Sequence, residues 1–366
     1  MAKLIIDALI FKDNKSHGYQ EYLFNLLNYM FLHRELIRYD EVIVACDLNE
    51  VHSFRQFATK FSIKALKAEG HLRILVAQCR LKKQLNLCKN DVILNTYNYA
   101  AFFKQCKTVL VVHDLIYLRP KLLPNRLMRM QRNMLVPRSL RQANRVVAIS
   151  NFTKNDLLQH YRIMKPEMVE VIYNYFNIEK YELDPNTKQA AVQHPYYLSV
   201  SSNILHKNVI TLLKAYHLVI TNDVNCPDLI LVGKKNNMDP ACQDLYDTLT
   251  PEVKHKISFR EDISNQELGT LYAGCECFIL PTLFEGLGMP IVEAMYFRAK
   301  LILSDIEICR EVAGDNALYF DPLDAGKLAD IFINRRYDQL RFNAEQLTKF
   351  NSEETSLKYI NMLNAI

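Results

Sequence analysis

The chain reads Phe284-Glu285-Gly286-Leu287-Gly288-Met289-Pro290-Ile291-Val292-Glu293-Ala294-Met295 where an apolar strand pattern, Cys277-Phe278-Ile279-Leu280-Pro281, gives way to an amphipathic helix. Glycine at such a turn lets the backbone approach a ligand without a Cβ in the way. Pro290 suits the first helical position, where its missing N–H would have no partner in any case. The free N–H groups and the dipole of a helix N-terminus attract phosphate. The segment therefore predicts an anion cradle with one carboxylate, Glu285, in the loop and another, Glu293, in the helix.

Length and composition predict a globular protein of two domains. The chain has 366 residues, of which 49% are hydrophobic and 23% are charged, and a single core seldom serves a chain of this length. No apolar run approaches the roughly 18 residues that a membrane helix needs, and the first residues enter a strand pattern, unlike a signal peptide. The nine cysteines are scattered without the spacing of a disulfide framework. We therefore expect a cytoplasmic protein with reduced thiols.

The spacing of glycine and aspartate argues against two other kinds of nucleotide site. Only Gly18 and Gly70 precede residue 233, so the first half lacks the GxGxxG fingerprint of nicotinamide enzymes. An Asp-x-Asp pair that could hold a metal-bound nucleotide diphosphate is also missing, and Asp305-Ile306-Glu307 is the nearest approach to it. The sequence therefore predicts neither a nicotinamide cofactor nor a metal site.

Short apolar runs alternate with helical periods along both halves of the chain. In the first half, we predict strands at Leu4–Ile10, Glu41–Cys46, Leu72–Ala77, Asp91–Asn95, Thr108–Val112 and Arg145–Ile149, and helices at Gln20–Leu36 and Arg126–Gln142. In the second half, we predict strands at Tyr196–Val200, Leu229–Val232, Ile257–Phe259, Cys277–Leu280 and Lys300–Ser304, and helices at Asn208–Ile220, Ile291–Phe297 and Asp305–Val312. This alternation predicts an α/β fold with two doubly wound parallel sheets, whose ligands bind at the carboxyl ends of the strands.

A polar, turn-rich stretch at Asn174–His194 separates the two series and follows a predicted strand at Val169–Tyr173. We therefore expect an N-terminal domain over residues 1–175 and a C-terminal domain over residues 176–351. For the last helix, within residues 352–366, two positions remain open: it closes the C-terminal domain, or it packs back on the N-terminal one.

The second half contains further motifs beyond the two glutamates. They are Leu268-Gly269-Thr270-Leu271-Tyr272-Ala273, Phe278-Ile279-Leu280-Pro281-Thr282, Ser304-Asp305 and Glu311-Val312-Ala313-Gly314-Asp315-Asn316-Ala317-Leu318-Tyr319-Phe320-Asp321-Pro322. With the Glu-x7-Glu segment, they resemble the family 4 retaining glycosyltransferases of GT-B fold. The resemblance implies two Rossmann-like domains that face a cleft, an acceptor-side N-terminal domain and a donor-binding C-terminal domain. It also implies transfer of a hexose from a GDP- or UDP-sugar without a metal ion or other cofactor.

The same resemblance assigns roles to the glycine-rich segment. Glu285 would hold hydroxyl groups of the donor sugar, and Glu293 would hydrogen-bond the ribose of the nucleotide. The leaving diphosphate would be stabilised by the amides of Gly286, Leu287, Gly288 and Met289. In this family the sugar keeps its anomeric configuration and the leaving phosphate takes the acceptor's proton, so the resemblance implies no dedicated protein base.

A lysine follows the first strand of the second series, in Ser201-Ser202-Asn203-Ile204-Leu205-His206-Lys207-Asn208. A lysine at a strand-to-helix junction can reach a diphosphate, although it can equally be a solvated side chain near a helix start. The resembling family has a phosphate-binding lysine here, which implies that role for Lys207. It often has an arginine five residues earlier, where this chain has Ser202, and glycine and proline where this chain has Arg298 and Lys300. These differences indicate a divergent member.

A histidine ends a predicted strand of the first domain, in Val111-Val112-His113-Asp114-Leu115. A single histidine is usually structural, but a His-Asp pair at the carboxyl end of a strand favours a functional position. The resemblance implies that His113 lies against the donor sugar and the acceptor. It also implies that Gly18, in Ser16-His17-Gly18-Tyr19, belongs to a loop near the diphosphate.

A basic segment lies between residues 119 and 145. It contains eight basic residues and no acid: Arg119, Lys121, Arg126, Arg129, Arg132, Arg138, Arg141 and Arg145. Leucine and methionine residues are interleaved, so the segment is amphipathic and could rest on anionic lipid at the inner face of the plasma membrane. A solvated helix face is the alternative. Nucleic acid is disfavoured because no recognition fold accompanies the segment.

These features predict a hexosyltransferase of polysaccharide or glycolipid assembly, with a saccharide or lipid-linked acceptor. The Lys207-Asn208 pair resembles that of mannosyl- and rhamnosyl-transferases of bacterial surface polysaccharide, including lipopolysaccharide. Two alternatives stay open. One is a catalytically silent GT-B subunit that supports an active partner, and the other is a GT-B nucleotide-sugar epimerase.

Overall fold

The protein folds into two compact units. The computed structural model describes residues 2–12, 18–67, 79–81, 83–99, 106–181, 194–223 and 225–366. The first unit comprises Met1–Pro120, Pro124–Tyr175 and Phe350–Ile366, and the second comprises Lys121–Leu123 and Phe176–Lys349.

The first unit is built on a parallel sheet of seven strands. They are β1 (Lys3–Asp7), β2 (Glu41–Asp47), β3 (Ser62–Leu66), β4 (Val92–Asn95), β5 (Lys107–Val112), β6 (Arg145–Ala148) and β7 (Val169–Val171). Their order is β3-β2-β1-β4-β5-β6-β7. The order reverses between β1 and β4, and in open α/β sheets this switch point is where ligands bind.

Helices cover this sheet, and the last helix of the chain belongs to the first unit. The described helices longer than one turn are Gly18–Leu32, Arg126–Gln142, Asn151–His160 and Ser352–Ala365. The rings of Tyr22 and Tyr359 lie 5.9 Å apart, and the Tyr39 hydroxyl donates to the Leu363 carbonyl at 2.5 Å. The helix Ser352–Ala365 therefore packs on the N-terminal unit.

The second unit repeats the same topology with six parallel strands. They are β8 (Tyr196–Val200), β9 (Asp228–Val232), β10 (Ile257–Arg260), β11 (Cys277–Leu280), β12 (Leu301–Ser304) and β13 (Ala317–Phe320). The described helices are Val209–Asn222, Pro240–Thr248, Pro251–His255, Asn265–Gly274, Met289–Tyr296, Glu307–Ala313 and Ala325–Ile333. The strand order is β10-β9-β8-β11-β12-β13, so the switch point lies between β8 and β11. The prediction of an α/β protein with two doubly wound parallel sheets is confirmed.

Several predicted boundaries differ from the structure for local reasons. Strand β1 ends at Asp7, three residues before its predicted end, because the Asp7 carboxylate accepts a hydrogen bond from the Leu9 amide at 3.1 Å and turns the chain. The helix that begins at Gly18 ends at Leu32, four residues early. The helix after β11 begins at Met289, so Pro290 is its second residue and not its first. The predicted strand Leu72–Ala77 lies outside the described residues.

Candidate active site

Two of the predicted site residues meet at the switch point of the second unit. Lys207 follows β8 and Glu285 follows β11, the two strands between which the order reverses. The Lys207 Nζ lies 2.6 Å from the Glu285 Oε1, and the two side chains are only 14% and 9% exposed. Burial raises the pKa of the nearby Cys309 thiol, and the charge of Glu285 adds to that effect. A charged pair with a neutral thiol beside it therefore occupies this edge of the sheet.

Hydrogen bonds tie the two loops that carry this pair. The Thr282 hydroxyl donates to the His206 carbonyl at 3.0 Å. Asn208 adopts the left-handed conformation, with φ of 55°. Its side-chain amide donates to the carbonyls of Pro281 at 2.8 Å and Pro322 at 2.7 Å. The side chains of Thr282 and Asn208 therefore hold the lysine loop and the glutamate loop together. Asparagine is one of the few residues that tolerate this left-handed conformation.

The helix after Glu285 begins without a side-chain cap. Gly288 precedes it with φ of +83°, and a Cβ at this position would lie 3.0 Å from the Cδ1 of Ile291. Glycine avoids both the strain and the contact. No side chain caps the helix Met289–Tyr296, and the binding of an anion at its N-terminus stays a prediction.

Tyr272 and Lys180 both contact the second glutamate, Glu293. The Tyr272 hydroxyl donates to its Oε2 at 2.8 Å, and the Lys180 Nζ lies 3.9 Å from its Oε1. Burial raises the pKa of the Tyr272 phenol, and the charge of Glu293 adds to this, so the phenol stays a donor. The sequence did not single out either neighbour for this contact. Tyr272 lies in a motif quoted for the family resemblance, whereas Lys180 lies in the polar stretch between the domains.

Ser202 lies in the turn after β8, and its uncharged side chain cannot form the ion pairs that an arginine could. Its carbonyl accepts a hydrogen bond from the Asn237 side chain at 3.1 Å. The turn packs against Gly233, whose φ is +144° and whose added Cβ would lie 1.9 Å from the Ser201 carbonyl oxygen. Glycine is therefore required at residue 233. Sequence reasoning missed this position, although Gly233 follows β9 directly and a glycine at a strand end often marks close backbone approach.

In the first unit, His113 lies at the carboxyl end of β5 as predicted. Its Nε2 is 2.9 Å from the Thr96 carbonyl oxygen. Because a carbonyl only accepts, Nε2 carries the proton and Nδ1 is left as an acceptor in the neutral ring. The His113 backbone amide donates to the Asn98 side chain at 2.7 Å. Burial lowers the pKa of His113 and outweighs the opposite effects of the Thr96 carbonyl and Asp114, so the ring is neutral at neutral pH.

Three tyrosines surround the ring of His113. The ring centroids of Tyr19, Tyr22 and Tyr97 lie 5.6, 5.1 and 6.2 Å from it. The Tyr19 hydroxyl also lies 2.8 Å from the Thr96 hydroxyl. Gly18 is the first residue of the helix that carries Tyr19, and residues 13–17 of the predicted glycine loop lie outside the described residues. Sequence reasoning missed these tyrosines, although Tyr19 and Tyr97 each follow a strand at the edge of the sheet where the carboxyl ends of the strands lie.

The basic segment forms a 17-residue helix, Arg126–Gln142, whose two faces differ. Leu135, Val136 and Leu140 are buried under it. Three other apolar residues recur at helical spacing on the outer face and are largely exposed: Leu127 (64%), Met130 (66%) and Met134 (62%). Among the described residues, no helix is long and apolar enough to cross a membrane, and no group of three histidine, cysteine or acidic side chains could hold a metal ion.

Comparison with known proteins matches most of each unit to a glycosyltransferase family model. A family model described as Glycosyltransferase Family 4 matches residues 30–180, and one described as Glycosyl transferases group 1 matches residues 181–335. The O-antigen chain mannosyltransferase RfbU of Salmonella typhimurium is 27% identical over 254 residues, which are 69% of this chain and 66% of that protein. The O-antigen chain mannosyltransferase B of Escherichia coli is 25% identical over 245 residues, 65% and 64% of the two chains. The chain thus spans just under two thirds of the length of these relatives.

The fold also recurs among solved structures. The structure of Anabaena Alr3699/HepE in complex with UDP and glucose superposes with a TM-score of 0.71 at 18% identity, and covers 100% of both chains. This likeness concerns the fold, whereas the two family models together cover most of both units. The chain belongs to the family 4 glycosyltransferases of GT-B fold.

Proposed function

We propose that this chain transfers a hexose, with mannose as the leading candidate, from a nucleotide-diphosphate sugar to a saccharide or lipid-linked acceptor in surface polysaccharide synthesis. Support for mannose comes from the two O-antigen mannosyltransferases that the chain resembles. Support for a nucleotide-sugar donor comes from the family and from the UDP in the structure with the same fold.

The observation that carries this proposal is the 2.6 Å ion pair between Lys207 and Glu285. It lies beside an uncapped helix N-terminus at a switch point, and these three features suit a ligand that combines a diphosphate with a polyol. We assign Lys207 to the diphosphate of the donor. As Lys207 turns to the phosphates, Glu285 is released to accept hydrogen bonds from sugar hydroxyls.

The remaining roles follow from charge. As the glycosidic bond breaks, negative charge grows on the diphosphate, and Lys207 with the helix N-terminal amides of residues 286–289 would stabilise it more strongly than the ground state. Glu293, oriented by Tyr272, would hold the ribose. The sugar is proposed to keep its configuration, with the leaving phosphate accepting the acceptor's proton and no metal ion taking part.

We assign the first unit to the acceptor. The neutral ring of His113 has Nδ1 available as an acceptor, so it can orient a hydroxyl of the incoming saccharide. Tyrosines such as Tyr19 and Tyr97 combine apolar ring faces with polar edges, a surface that suits a sugar ring.

The outer face of the helix Arg126–Gln142 is proposed to contact anionic membrane. Leu127, Met130 and Met134 would enter the headgroup region while the flanking arginines meet lipid phosphates. Replacing all three by glutamine should abolish cosedimentation with vesicles that contain phosphatidylglycerol. A matched change of the exposed Leu323 in the second unit should not. Equal cosedimentation of wild type and triple variant would refute this contact.

The donor assignment is tested by thermal shift with GDP, UDP and their sugars, because a ligand of the folded state raises Tm. Lys207→Ala should weaken the shift strongly, and Glu285→Ala should abolish transfer while the fold persists. Lys300→Ala, which removes an exposed lysine paired with Asp338, serves as the control and should change neither.

The other parts of the proposal have their own measurements. Transfer in the presence of EDTA tests metal independence, and the anomeric configuration of the product, read by NMR, tests retention. The absence of any nucleotide shift would refute the transferase proposal and favour a catalytically silent subunit, for which the missing cation at Ser202 is the supporting observation.

A further inference from the structure

One arginine of the basic helix faces inward, toward the tyrosines of the first unit. Arg132 is half-buried, and its Nη2 donates to the Tyr97 hydroxyl at 2.7 Å. Its guanidinium carbon lies 5.9 Å from the centroid of the same ring. Tyr97 follows β4, and its ring also lies 6.2 Å from that of His113. The guanidinium therefore lies near the switch point of the first unit, and Tyr97 stands between it and the histidine assigned to the acceptor.

The partners of Arg132 differ from those of Arg34 and Arg119, two other half-buried arginines in this unit. Arg34 donates to three backbone carbonyls, and Arg119 pairs with Asp156 at 2.8 Å. The N–H groups of these two side chains therefore find their partners within the protein. Among the described residues, Arg132 makes a single hydrogen bond, to Tyr97, and no ion pair. Arginine has five N–H donors, so most of its donor capacity is left for a ligand.

The chemistry of the group that Arg132 could bind follows from its shape. A guanidinium keeps its charge at all working pH values and presents a planar fork that matches two oxygens of a phosphate. Asp114 acts on it electrostatically, but within the described part of the chain the two form no ion pair. Burial raises the pKa of the Tyr97 phenol, so Tyr97 stays neutral and can donate to the same anion once it rotates.

We propose that Arg132 and Tyr97 form a phosphate-binding subsite for the acceptor, which is then a saccharide carried on a lipid phosphate or diphosphate. The inference rests on the proposed transferase function and names the acceptor class. The same helix supports it, because its outer face carries the exposed Leu127, Met130 and Met134 while Arg132 points inward. In a lipid-linked saccharide the diphosphate stands between the lipid and the sugar. A helix with lipid contact outside and a phosphate contact inside fits that order.

Calorimetric titration with citronellyl diphosphate, a short isoprenoid diphosphate, tests the subsite. A saturating nucleoside diphosphate is added first, so that Lys207 is occupied. The wild-type protein should bind, and Arg132→Ala should weaken binding by about 10- to 100-fold, the range for hydrogen bonds to a charged group. Arg55→Ala removes the same charge from an exposed position of the same unit, outside this helix, and should bind like wild type. Absence of binding by wild type, or equal binding by Arg132→Ala, would overturn the proposal.

Two further ligands separate the sources of the phosphate. Inorganic pyrophosphate should bind more weakly than citronellyl diphosphate, and equal affinity would overturn the assignment to a lipid-linked acceptor. Citronellyl glucoside, which is uncharged, should be insensitive to Arg132→Ala, and an equal loss of its affinity would show that the arginine only shapes the fold.

Folding and the donor site are controlled separately. Arg132→Gln keeps a donor for Tyr97 and should fold if Arg132→Ala does not, yet it should still lose the diphosphate. Nucleotide binding reports the second unit independently. Loss of citronellyl diphosphate binding in an Arg132 variant that still binds nucleotide normally supports the subsite. Normal diphosphate binding without any nucleotide binding would refute the proposed donor site and leave the subsite standing.

Discussion

The hydroxyl of Tyr272 offers a sharp test of how Glu293 is positioned. It donates to the Glu293 Oε2 at 2.8 Å in a fully buried setting. The ring of Tyr272 stacks on Phe297 with centroids 5.8 Å apart and planes 4° from parallel. Tyr272→Phe keeps that packing and removes one oxygen atom, so its effects report on the hydrogen bond alone.

Two magnitudes follow from this geometry. A hydrogen bond to a charged group contributes about 1.5–3 kcal/mol, and in a domain of this size 1 kcal/mol corresponds to about 2–4 °C in Tm. Tyr272→Phe should therefore lower Tm by about 3–12 °C. If Glu293 binds the donor, the nucleotide must also order a side chain that Tyr272 no longer fixes. This ordering costs up to about 1.5–2 kcal/mol, which corresponds to a donor KM roughly 10- to 30-fold higher, with kcat little changed.

Calorimetry and initial-rate kinetics measure the two effects, and Tyr216→Phe is the control. The Tyr216 hydroxyl donates to the Pro227 carbonyl at 2.8 Å, in the same unit but on another partner. This control should lose stability without a change in donor KM. If Tyr272→Phe lost stability and kept its donor KM, the role of Glu293 in donor binding would be wrong. An unchanged Tm would contradict the hydrogen bond itself.

Three further perturbations probe other features. Lys207→Met leaves Glu285 buried without its cation and should cost about 3–5 kcal/mol in the free energy of unfolding. The double variant with Glu285→Gln should lose clearly less stability than the sum of the two single losses. Simple additivity in denaturant titrations would rule out the ion pair. Arg298 is exposed and has φ of 55°, a conformation that glycine adopts without strain. Arg298→Gly should therefore raise the free energy of unfolding by up to about 1 kcal/mol, and a lower free energy of unfolding would contradict this reasoning. The pKa of His113 is lowered from 6.5 in the folded state, so the unfolded chain takes up the proton first as pH falls. Stability should therefore decrease as pH drops below about 6.5, until the pKa of the folded state is passed. His113→Gln should flatten that part of the stability profile, measured by thermal unfolding.

The strands of the sheet centres were predictable because most of their residues are apolar. The predicted bounds Tyr196–Val200 and Cys277–Leu280 are those of β8 and β11. Strand β3, Ser62–Leu66, was not predicted. It lies at the edge of its sheet, and only Leu66 is fully buried, so its sequence lacks the apolar run that a central strand needs.

The candidate site was predictable only in part. Lys207, Glu285 and Glu293 follow from the motifs, and their roles remain proposals. The contacts between residues far apart in sequence do not follow from any local pattern. Lys207 and Glu285 are 78 residues apart, and Arg132 and Tyr97 are 35 apart. A spacing pattern describes one strand or one helix, whereas these pairs depend on which loops the sheet order brings together.

The position of residues 350–366 in the first unit has a consequence for biosynthesis. The ribosome must add residues 176–349, which belong to the second unit, before the helix that covers Tyr22 and Tyr39 exists. At roughly 5–20 residues per second, the N-terminal unit waits roughly 10–35 s with this surface uncovered. The second unit, whose chain is nearly continuous, can complete its own core during that interval. The half of the protein that is translated first is therefore the half that finishes folding last.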